Sequence, residues 1–146
     1  MNGLKINQVG MIVRDIEKTI KSLSALWDIG PFQKREIDLP DGIVHGRQKR
    51  IRAKLAFVQA GPIELELIEP GEGENIYQEF LCAKGEGLHH FGIHVSDMEK
   101  EISRFKERGI DVLQSGNTPR VSFAYMDTEN IAGVIFEFLQ LKQNPI

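Results

Sequence analysis

The chain has 146 residues, of which 41% are hydrophobic and 27% charged, with a formal net charge of −3. This length and composition predict a single globular domain over residues 1–146 and exclude the disordered and collagen-like classes. The mild acidity argues against a nucleic-acid partner, which would require a cationic surface. No apolar run approaches the roughly 20 residues that cross a bilayer, so we expect no membrane partner.

The amino terminus and the cysteine content predict a cytoplasmic protein. Residues 1–7 contain neither the apolar stretch nor the small-residue cleavage site of a secretory signal. The single cysteine, Cys82, cannot form an intramolecular disulfide, which fits a reducing compartment.

The first half of the chain is predicted to fold in the order βαβββ. A β-rich run predicts a strand over 5–13, and apolar residues at helical spacing predict a helix over 16–26. Further strands are expected over 32–37, 49–60 and 63–69. This first module covers about residues 1–70, and a linker with a short helix at 76–81 covers about 71–84.

The second half repeats the first. We expect a strand at 88–95, a helix at 98–108 and strands at 111–114, 120–127 and 133–141, which form a second module over about 85–142. Residues 8–18 realign with 90–100, and residues 63–68 are similar in character to 134–139. The two offsets differ by about 11 residues, which places extra length near 38–50, where a functional loop or lid is expected.

Two equivalent strands carry carboxylates in otherwise apolar sequence. Glu66 and Glu137 occupy matching positions of the repeat, and Gln8 matches His90. An ionised carboxylate among apolar neighbours is costly unless positive charge compensates it. A pseudo-twofold axis between the modules would therefore bring these four side chains around one cation.

The histidine-rich strand offers one candidate for this cluster. In an extended strand, the side chains of His90 and His94 stand about 13 Å apart, and His89 and His90 point to opposite faces. The repeat selects His90. We expect His89 and His94 to have a structural role or to support the ligands from behind.

These motifs resemble the vicinal oxygen chelate superfamily. The resemblance rests on the paired βαβββ modules and on three motifs: GEGLHHFG at 85–92, ELIEP at 66–70 and GVIFEF at 133–138. It implies an α+β fold in which two βαβββ modules form a cupped, partly open mixed β-sheet barrel with helices outside. The closest branch is that of methylmalonyl-CoA epimerase and glyoxalase I, whose members bind one divalent metal ion through four strands.

Carried over by position, the resemblance implies the metal ligands Gln8, Glu66, His90 and Glu137. Family members have His or Gln at the first position. This ligand set suits Zn²⁺, Co²⁺, Ni²⁺ or Mn²⁺, among which the sequence does not choose. Because Gln8 replaces a histidine, the set argues against extradiol dioxygenases and fosfomycin-resistance proteins, which use two histidines and a carboxylate.

The charge of such a site indicates its chemistry. A divalent ion polarises a bound carbonyl oxygen and favours removal of the adjacent proton. The resemblance implies a metal-dependent isomerase or lyase with Glu137 as general base and Glu66 as second acid/base or simple ligand. The epimerase and a glyoxalase I-like lactoylglutathione lyase are the enzyme alternatives. A non-catalytic protein that sequesters a small molecule, such as an antibiotic, is the alternative of another class.

The substrate is expected to be a small carbonyl compound, as a CoA thioester or a glutathione adduct. Asp41 or His45, in the inserted segment, is the candidate for a second base and for substrate contact. Phe123 and Tyr125 are candidates for the pocket wall, although strand aromatics are also typical of a core.

Two further expectations concern a stripe of basic residues on one strand and the oligomeric state. Arg50, Arg52 and Lys54 alternate along one strand face, where they would bind CoA phosphates or a glutathione carboxylate, or form a solvated outer surface. The resemblance also implies a homodimer.

Overall fold

Both halves of the chain fold in the βαβββ order that the repeat predicts. A computed structural model describes residues 3–143. The first half contains β1 (Gln8–Ile12), α1 (Ile16–Trp27), β2 (Gln33–Val44), β3 (Arg47–Ala60) and β4 (Ile63–Pro70). The linking helix is α2 (Ile76–Lys84). The second half contains β5 (Gly87–His94), α3 (Met98–Lys106), β6 (Val112–Asn117), β7 (Val121–Met126), the unpredicted short helix α4 (Glu129–Ala132) and β8 (Ile135–Leu141).

Equivalent aspartates begin the two equivalent helices. The Asp15 carboxylate accepts a hydrogen bond from Lys18 N, and the Asp97 carboxylate accepts one from Lys100 N, both at 3.1 Å. These caps satisfy amide groups that have no partner within the helix. The apolar face of α1 packs against Ala56 and Leu67 on the outside of the sheet, and α3 packs in the same way against β7 and β8.

The eight strands form one mixed barrel in the order β1-β4-β3-β2-β6-β7-β8-β5. β1 pairs with β4 and β5 with β8 in parallel, while the two halves meet through the antiparallel pair β1–β5. The α+β barrel expected from the sequence is therefore confirmed. At the second seam between the halves, β2 and β6 are paired only at Ile43–Ser115 and Val44–Gln114. The barrel is thus closed at this end, and the described residues along the rest of the seam have no strand pairing.

The extra residues of the first half lengthen a hairpin and do not form the expected loop. β2 continues to Val44, and β3 begins at Arg47. Leu39 pairs with Ile51, and both side chains are buried in the barrel core. Because an extended hairpin buries these alternating apolar residues, it competes successfully with an irregular loop. A bulge lies between Leu39 and Gly42, where an added Cβ atom would collide with the Ile51 side chain.

Within residues 3–143, the helices are too short or too polar to span a membrane.

Candidate metal centre

Four neighbouring strands place the four candidate ligands on one patch of the barrel interior. Gly10 pairs with Glu66 on one side and with His90 on the other. Its repeat counterpart Gly92 pairs with Gln8 and with Glu137. Each glycine therefore lies between two candidate ligands, and the arrangement has the pseudo-twofold symmetry that the repeat predicts.

The two glycines leave the space that these side chains occupy. A Cβ atom at Gly10 would collide with the imidazole ring of His90, and one at Gly92 would lie 2.9 Å from the Gln8 Cβ and from Leu139 Cδ1. Neither glycine is among the residues that the sequence predicts for the site, although both lie in the repeated motif.

The polar atoms of the four side chains converge. His90 Nε2 lies 3.0 Å from Glu137 Oε2, 3.3 Å from Glu66 Oε1 and 3.4 Å from Gln8 Oε1. One ligand atom from each of Glu66, His90 and Glu137 lies within 4.8 Å of the others. All four residues are buried, and His90 is fully inaccessible to solvent. The interior of the barrel thus holds a compact group of metal-ligating atoms.

Two of these atoms have no hydrogen-bond partner among residues 3–143. Glu66 Oε1 and Glu137 Oε2 are buried without a hydrogen bond, although both approach His90 Nε2. A single Nε2–H cannot point at three oxygens, and a buried carboxylate oxygen without a partner is unfavourable. A divalent cation would satisfy both oxygens. Together with an amide oxygen and an imidazole, they fit a divalent metal ion, and this donor set does not distinguish Zn²⁺, Co²⁺, Ni²⁺ and Mn²⁺.

The electrostatics of the cluster also fit a cation. Burial lowers the pKa of His90, but the carboxylates of Glu137 and Glu66 outweigh burial and raise it to about 9. Burial raises the pKa of Glu66, and its contact with His90 opposes that shift. Without an ion, a proton on His90 is therefore the positive charge that compensates the carboxylates, and a metal ion would replace it.

A neighbouring carboxylate orients the Gln8 amide. Gln8 Nε2 donates a 2.8 Å hydrogen bond to Glu64 Oε1, which leaves Gln8 Oε1 directed at the cluster. Strand alternation puts Glu64 on the same face as Glu66, which is the signal in the sequence that points to it.

The expectation that His89 and His90 point to opposite faces is wrong. Gly10 pairs with His90 and the next residue, Met11, pairs with Leu88, so His89 is an extra residue in a β-bulge. A bulge interrupts the alternation of side chains. The two imidazoles consequently lie side by side, with 2.9 Å between His89 Nδ1 and His90 Nδ1. His94 is exposed and lines the cavity, and a supporting role for it stays a prediction.

A cavity of about 250 Å³ extends from the cluster. Phe123 and Tyr125 lie in its wall, as does Tyr77 of α2, whose hydroxyl is 2.8 Å from that of Tyr125. Burial, followed by the charge of Glu137, raises the pKa of both phenols well above the ordinary value, so both remain neutral. The other lining residues are Gln8, Gln33, Arg35, Ile37, Leu55, Phe57, Glu64, Glu66, His94, Thr118, Arg120, Val121, Glu137, Leu139 and Leu141.

Asp41 and His45 do not line this cavity. Asp41 is exposed beside the bulge of β2, and His45 occupies the hairpin turn with φ 49°. His45 Nε2 contacts both carboxylate oxygens of Glu79 on α2 at 2.9 Å. Because the hairpin is extended along the barrel, these residues lie away from the candidate site.

The basic stripe is paired with acids on the outer surface. Arg50 forms two 2.6 Å hydrogen bonds with Asp38, and Lys54 lies 3.7 Å from Glu69. Hydrogen bonding to Arg50 lowers the pKa of Asp38 to about 2. The stripe is therefore neutralised locally, as expected of a solvated outer face.

An eight-stranded barrel of two βαβββ units, with a ligand-type cluster near its pseudo-twofold axis, is the architecture expected for the vicinal oxygen chelate class. The sequence model of the Glyoxalase/Bleomycin resistance protein/Dioxygenase superfamily matches residues 7–125, and the chain belongs to this family.

Similar proteins include both uncharacterised proteins and enzymes. Uncharacterized protein YqjC of Bacillus subtilis (strain 168) is 28% identical over 96 residues, which cover 62% of this chain and 67% of that protein. The structure of hypothetical protein BH1468 from Bacillus halodurans C-125 is 25% identical, with a TM-score of 0.74 and 99% coverage of both chains. A variant of Streptomyces coelicolor methylmalonyl-CoA epimerase, in complex with 2-nitronate-propionyl-CoA, is 19% identical, with a TM-score of 0.73 and coverage of 94% of this chain and 95% of that one.

Proposed function

We propose that this protein is a metal-dependent isomerase or lyase that transfers a proton at a carbon next to a carbonyl group. The observation that supports this proposal best is the pair of unpartnered carboxylate oxygens, Glu66 Oε1 and Glu137 Oε2, which converge with His90 at the wall of a cavity. Gln8, Glu66, His90 and Glu137 would hold the ion.

The proposed chemistry divides between the ion and the carboxylates. When bound, a divalent ion supplies Lewis acidity that polarises a carbonyl oxygen and acidifies the adjacent C–H bond. Glu137 is the proposed general base, since its buried carboxylate lines the cavity and one of its oxygens has no hydrogen-bond partner within the described chain. Glu66 lies at the equivalent position of the other half and would return the proton, or act as a ligand only. Tyr77 and Tyr125 would exclude water from this wall.

Two exposed arginines at the opening of the cavity, Arg35 and Arg120, favour an anionic substrate. Arg35 lies on β2 and Arg120 precedes β7, on the two sides of the seam that lacks strand pairing. Neither guanidinium forms a salt bridge with a described residue; Arg35 lies 5.9 Å from the centre of the Phe57 ring. Arginine suits phosphate and carboxylate groups because its N–H donors bind them in pairs. A CoA thioester or a glutathione adduct carries such groups beyond its reacting carbon.

Proton exchange tests this proposal. Zn²⁺-, Co²⁺-, Ni²⁺- and Mn²⁺-loaded proteins are incubated in D₂O with (2R)- and (2S)-methylmalonyl-CoA, and deuterium at the α-carbon is followed by mass spectrometry. Exchange that requires the metal and is lost in Glu137→Gln is expected. Elemental analysis distinguishes the sequestering alternative, because a purified protein that binds ligand but no stoichiometric metal would overturn the enzyme proposal.

One observation favours glyoxalase-type isomerisation as the second candidate. Among described residues, the carboxylates that line the cavity are Glu64, Glu66 and Glu137, all on the strands that carry the candidate metal ligands. Asp41, the candidate second base, does not line the cavity. Epimerisation needs proton delivery to both faces of a carbon, whereas isomerisation of a hemithioacetal needs one base. Turnover of the methylglyoxal–glutathione hemithioacetal without exchange in methylmalonyl-CoA would select this reaction.

We also propose that the protein acts in the cytoplasm as a homodimer, as its family resemblance implies. Light scattering after gel filtration tests the dimer, and cell fractionation tests the location.

A further inference from the structure

His89 is a buried histidine that the proposed chemistry does not use. It is 2% exposed, and its ring packs against the rings of Tyr77, Phe80 and Tyr125. Its Nδ1 lies 2.9 Å from His90 Nδ1, which is a hydrogen-bonding distance between two ring nitrogens.

Two nitrogens at this distance share one proton. His90 Nε2 is the atom directed at Glu66, Glu137 and Gln8, so Nε2 is the nitrogen that a metal ion would take. A neutral imidazole bound through Nε2 carries its proton on Nδ1. His90 Nδ1 is then the donor, and His89 Nδ1 is the acceptor.

We infer that His89 is a positioning residue, which accepts a hydrogen bond from His90 Nδ1–H and thereby fixes the ring orientation and the metal-binding tautomer of His90. This inference rests on the proposed metal site. Hydrogen bonds of this kind commonly orient metal-binding histidines, but the usual acceptors are carboxylates, backbone carbonyls or water. Here the acceptor is a second, neutral imidazole.

A packing role alone does not explain His89. With Nδ1 as the acceptor, its own proton is on Nε2, and this buried Nε2 has no hydrogen-bond partner in the described part of the chain. A leucine or phenylalanine would fill an aromatic pocket without adding an unsatisfied polar atom of its own. The contact with His90 is the one polar interaction of the His89 ring among the described residues, so it accounts for a histidine at this position.

A β-bulge in β5 places the His89 ring directly behind the His90 ring. The β-bulge supplies the geometry, because a regular strand would turn His89 to the opposite face from His90. The extra residue in β5 thus brings an acceptor behind the candidate ligand.

Two substitutions separate hydrogen bonding from packing. In His89→Asn, the side-chain Oδ1 takes the place of Nδ1 and retains an acceptor, whereas His89→Leu retains apolar bulk and removes it. His45→Asn is the control, because His45 lies outside the cavity. Dissociation constants for Zn²⁺ and Co²⁺ are measured by competition with a chromophoric chelator, and the visible spectrum of the Co²⁺ protein reports the ligand geometry.

We expect His89→Leu to bind both ions about 10- to 100-fold more weakly and to alter the Co²⁺ spectrum. His89→Asn is expected to restore affinity to within about threefold of wild type. Equal affinity of His89→Leu and wild type would overturn the inference, as would an Asn variant that binds as weakly as the Leu variant. A wild-type protein that binds neither ion would instead overturn the proposed function.

Nuclear magnetic resonance of wild-type protein provides a test that needs no variant. In the Zn²⁺ form with ¹⁵N-labelled histidine, we expect the Nδ1–H proton of His90 to be visible and to exchange slowly with solvent, and His89 Nδ1 to be unprotonated. A protonated His89 Nδ1 would contradict the proposed direction of the hydrogen bond.

Discussion

Gln8 and His90 occupy equivalent positions in the two halves of the chain, yet different neighbours support them. The Gln8 amide donates to the Glu64 carboxylate, which lies across a regular strand pair. The His90 imidazole contacts His89, which lies next to it in the chain at a β-bulge. The duplicated backbone therefore sets where the ligands are placed, while each half has its own means of orienting them.

The two glycines that face the candidate ligands show the same contrast in steric terms. Gly10 of the first half faces the ring of His90, and Gly92 of the second half faces the aliphatic part of Gln8. A Cβ atom added at Gly10 would overlap the His90 ring, whereas one added at Gly92 would lie 2.9 Å from the Gln8 Cβ. Equivalent substitutions in the two halves should consequently have unequal effects.

Replacing Glu137 and Glu66 one at a time is expected to have the largest effect, which is on the rate of proton exchange. We expect Glu137→Gln to lower proton exchange by about 10²- to 10⁴-fold, as loss of a general base does. Glu66→Gln should weaken metal binding but retain more exchange at saturating metal. The measurement is kcat for deuterium incorporation at several metal concentrations. Glu99→Gln, on the exposed surface of α3, is the control. Equal losses in both variants at saturating metal would show that the halves share the base role.

The pH dependence of metal binding sharpens the comparison, because His90 titrates and Gln8 does not. With a pKa raised to about 9, His90 is protonated at neutral pH and must lose that proton to bind an ion. We therefore expect affinity to rise with pH by about tenfold per pH unit below 9 and to level off above it. Calorimetry in buffers of different ionisation enthalpy should count at least about one proton released per ion near pH 7.5.

The stability of the protein without metal should depend on pH in the opposite direction. A pKa that is raised in the folded state contributes stability below the unfolded value, about 6.5, and this contribution is lost as pH rises through about 9. Urea unfolding in the presence of a chelator should show the free energy of unfolding falling between these two pH values. An increase over this range would contradict the assigned role of His90.

Alanine at the two glycines tests the steric contrast. We expect Gly10→Ala to destabilise the protein by about 3 kcal/mol and to abolish stoichiometric metal binding, because the new Cβ atom displaces the His90 ring. Gly92→Ala should cost less, about 1 kcal/mol, and weaken binding without abolishing it, since the new Cβ atom would lie 2.9 Å from the Gln8 Cβ and 3.0 Å from Gln8 Oε1 and would not overlap a ligand ring. Urea unfolding with chelator and metal titration provide the two measurements. Similar losses in both variants would refute the proposed difference between the halves.

Local pattern and long-range pairing explain what could be predicted from the sequence. The placement of Gln8, Glu66, His90 and Glu137 on one surface follows from strand alternation and the repeat, which are both visible along the chain. The side-by-side arrangement of His89 with His90 depends on how β5 pairs with β1, and the one-residue shift in that pairing leaves no local signal.

The structure of the inserted segment and the residues at the cavity opening could not be predicted from the sequence for a related reason. Residues 38–50 contain Pro40, Gly42 and Gly46, which are typical of a loop, but burial of Leu39 and Ile51 against the barrel core favours a hairpin. Arg35 and Arg120 belong to opposite halves, and only the short β2–β6 seam brings them to the same opening. Tertiary contacts therefore override the local propensities at these positions.

Glu64 provides the smallest of the expected effects and the most direct test of how the first half orients its ligand. We expect Glu64→Leu to weaken Zn²⁺ binding by about tenfold, because the freed Gln8 amide can rotate and present Nε2 in place of Oε1. Glu64→Gln retains an acceptor and should stay within about threefold of wild type. If Glu64→Gln were as weak as Glu64→Leu, the negative charge of Glu64, and not its hydrogen bond, would be what supports binding. Combining Glu64→Leu with His89→Leu then asks whether the halves act independently: separate orientation of Gln8 and His90 predicts that the two losses in binding free energy add.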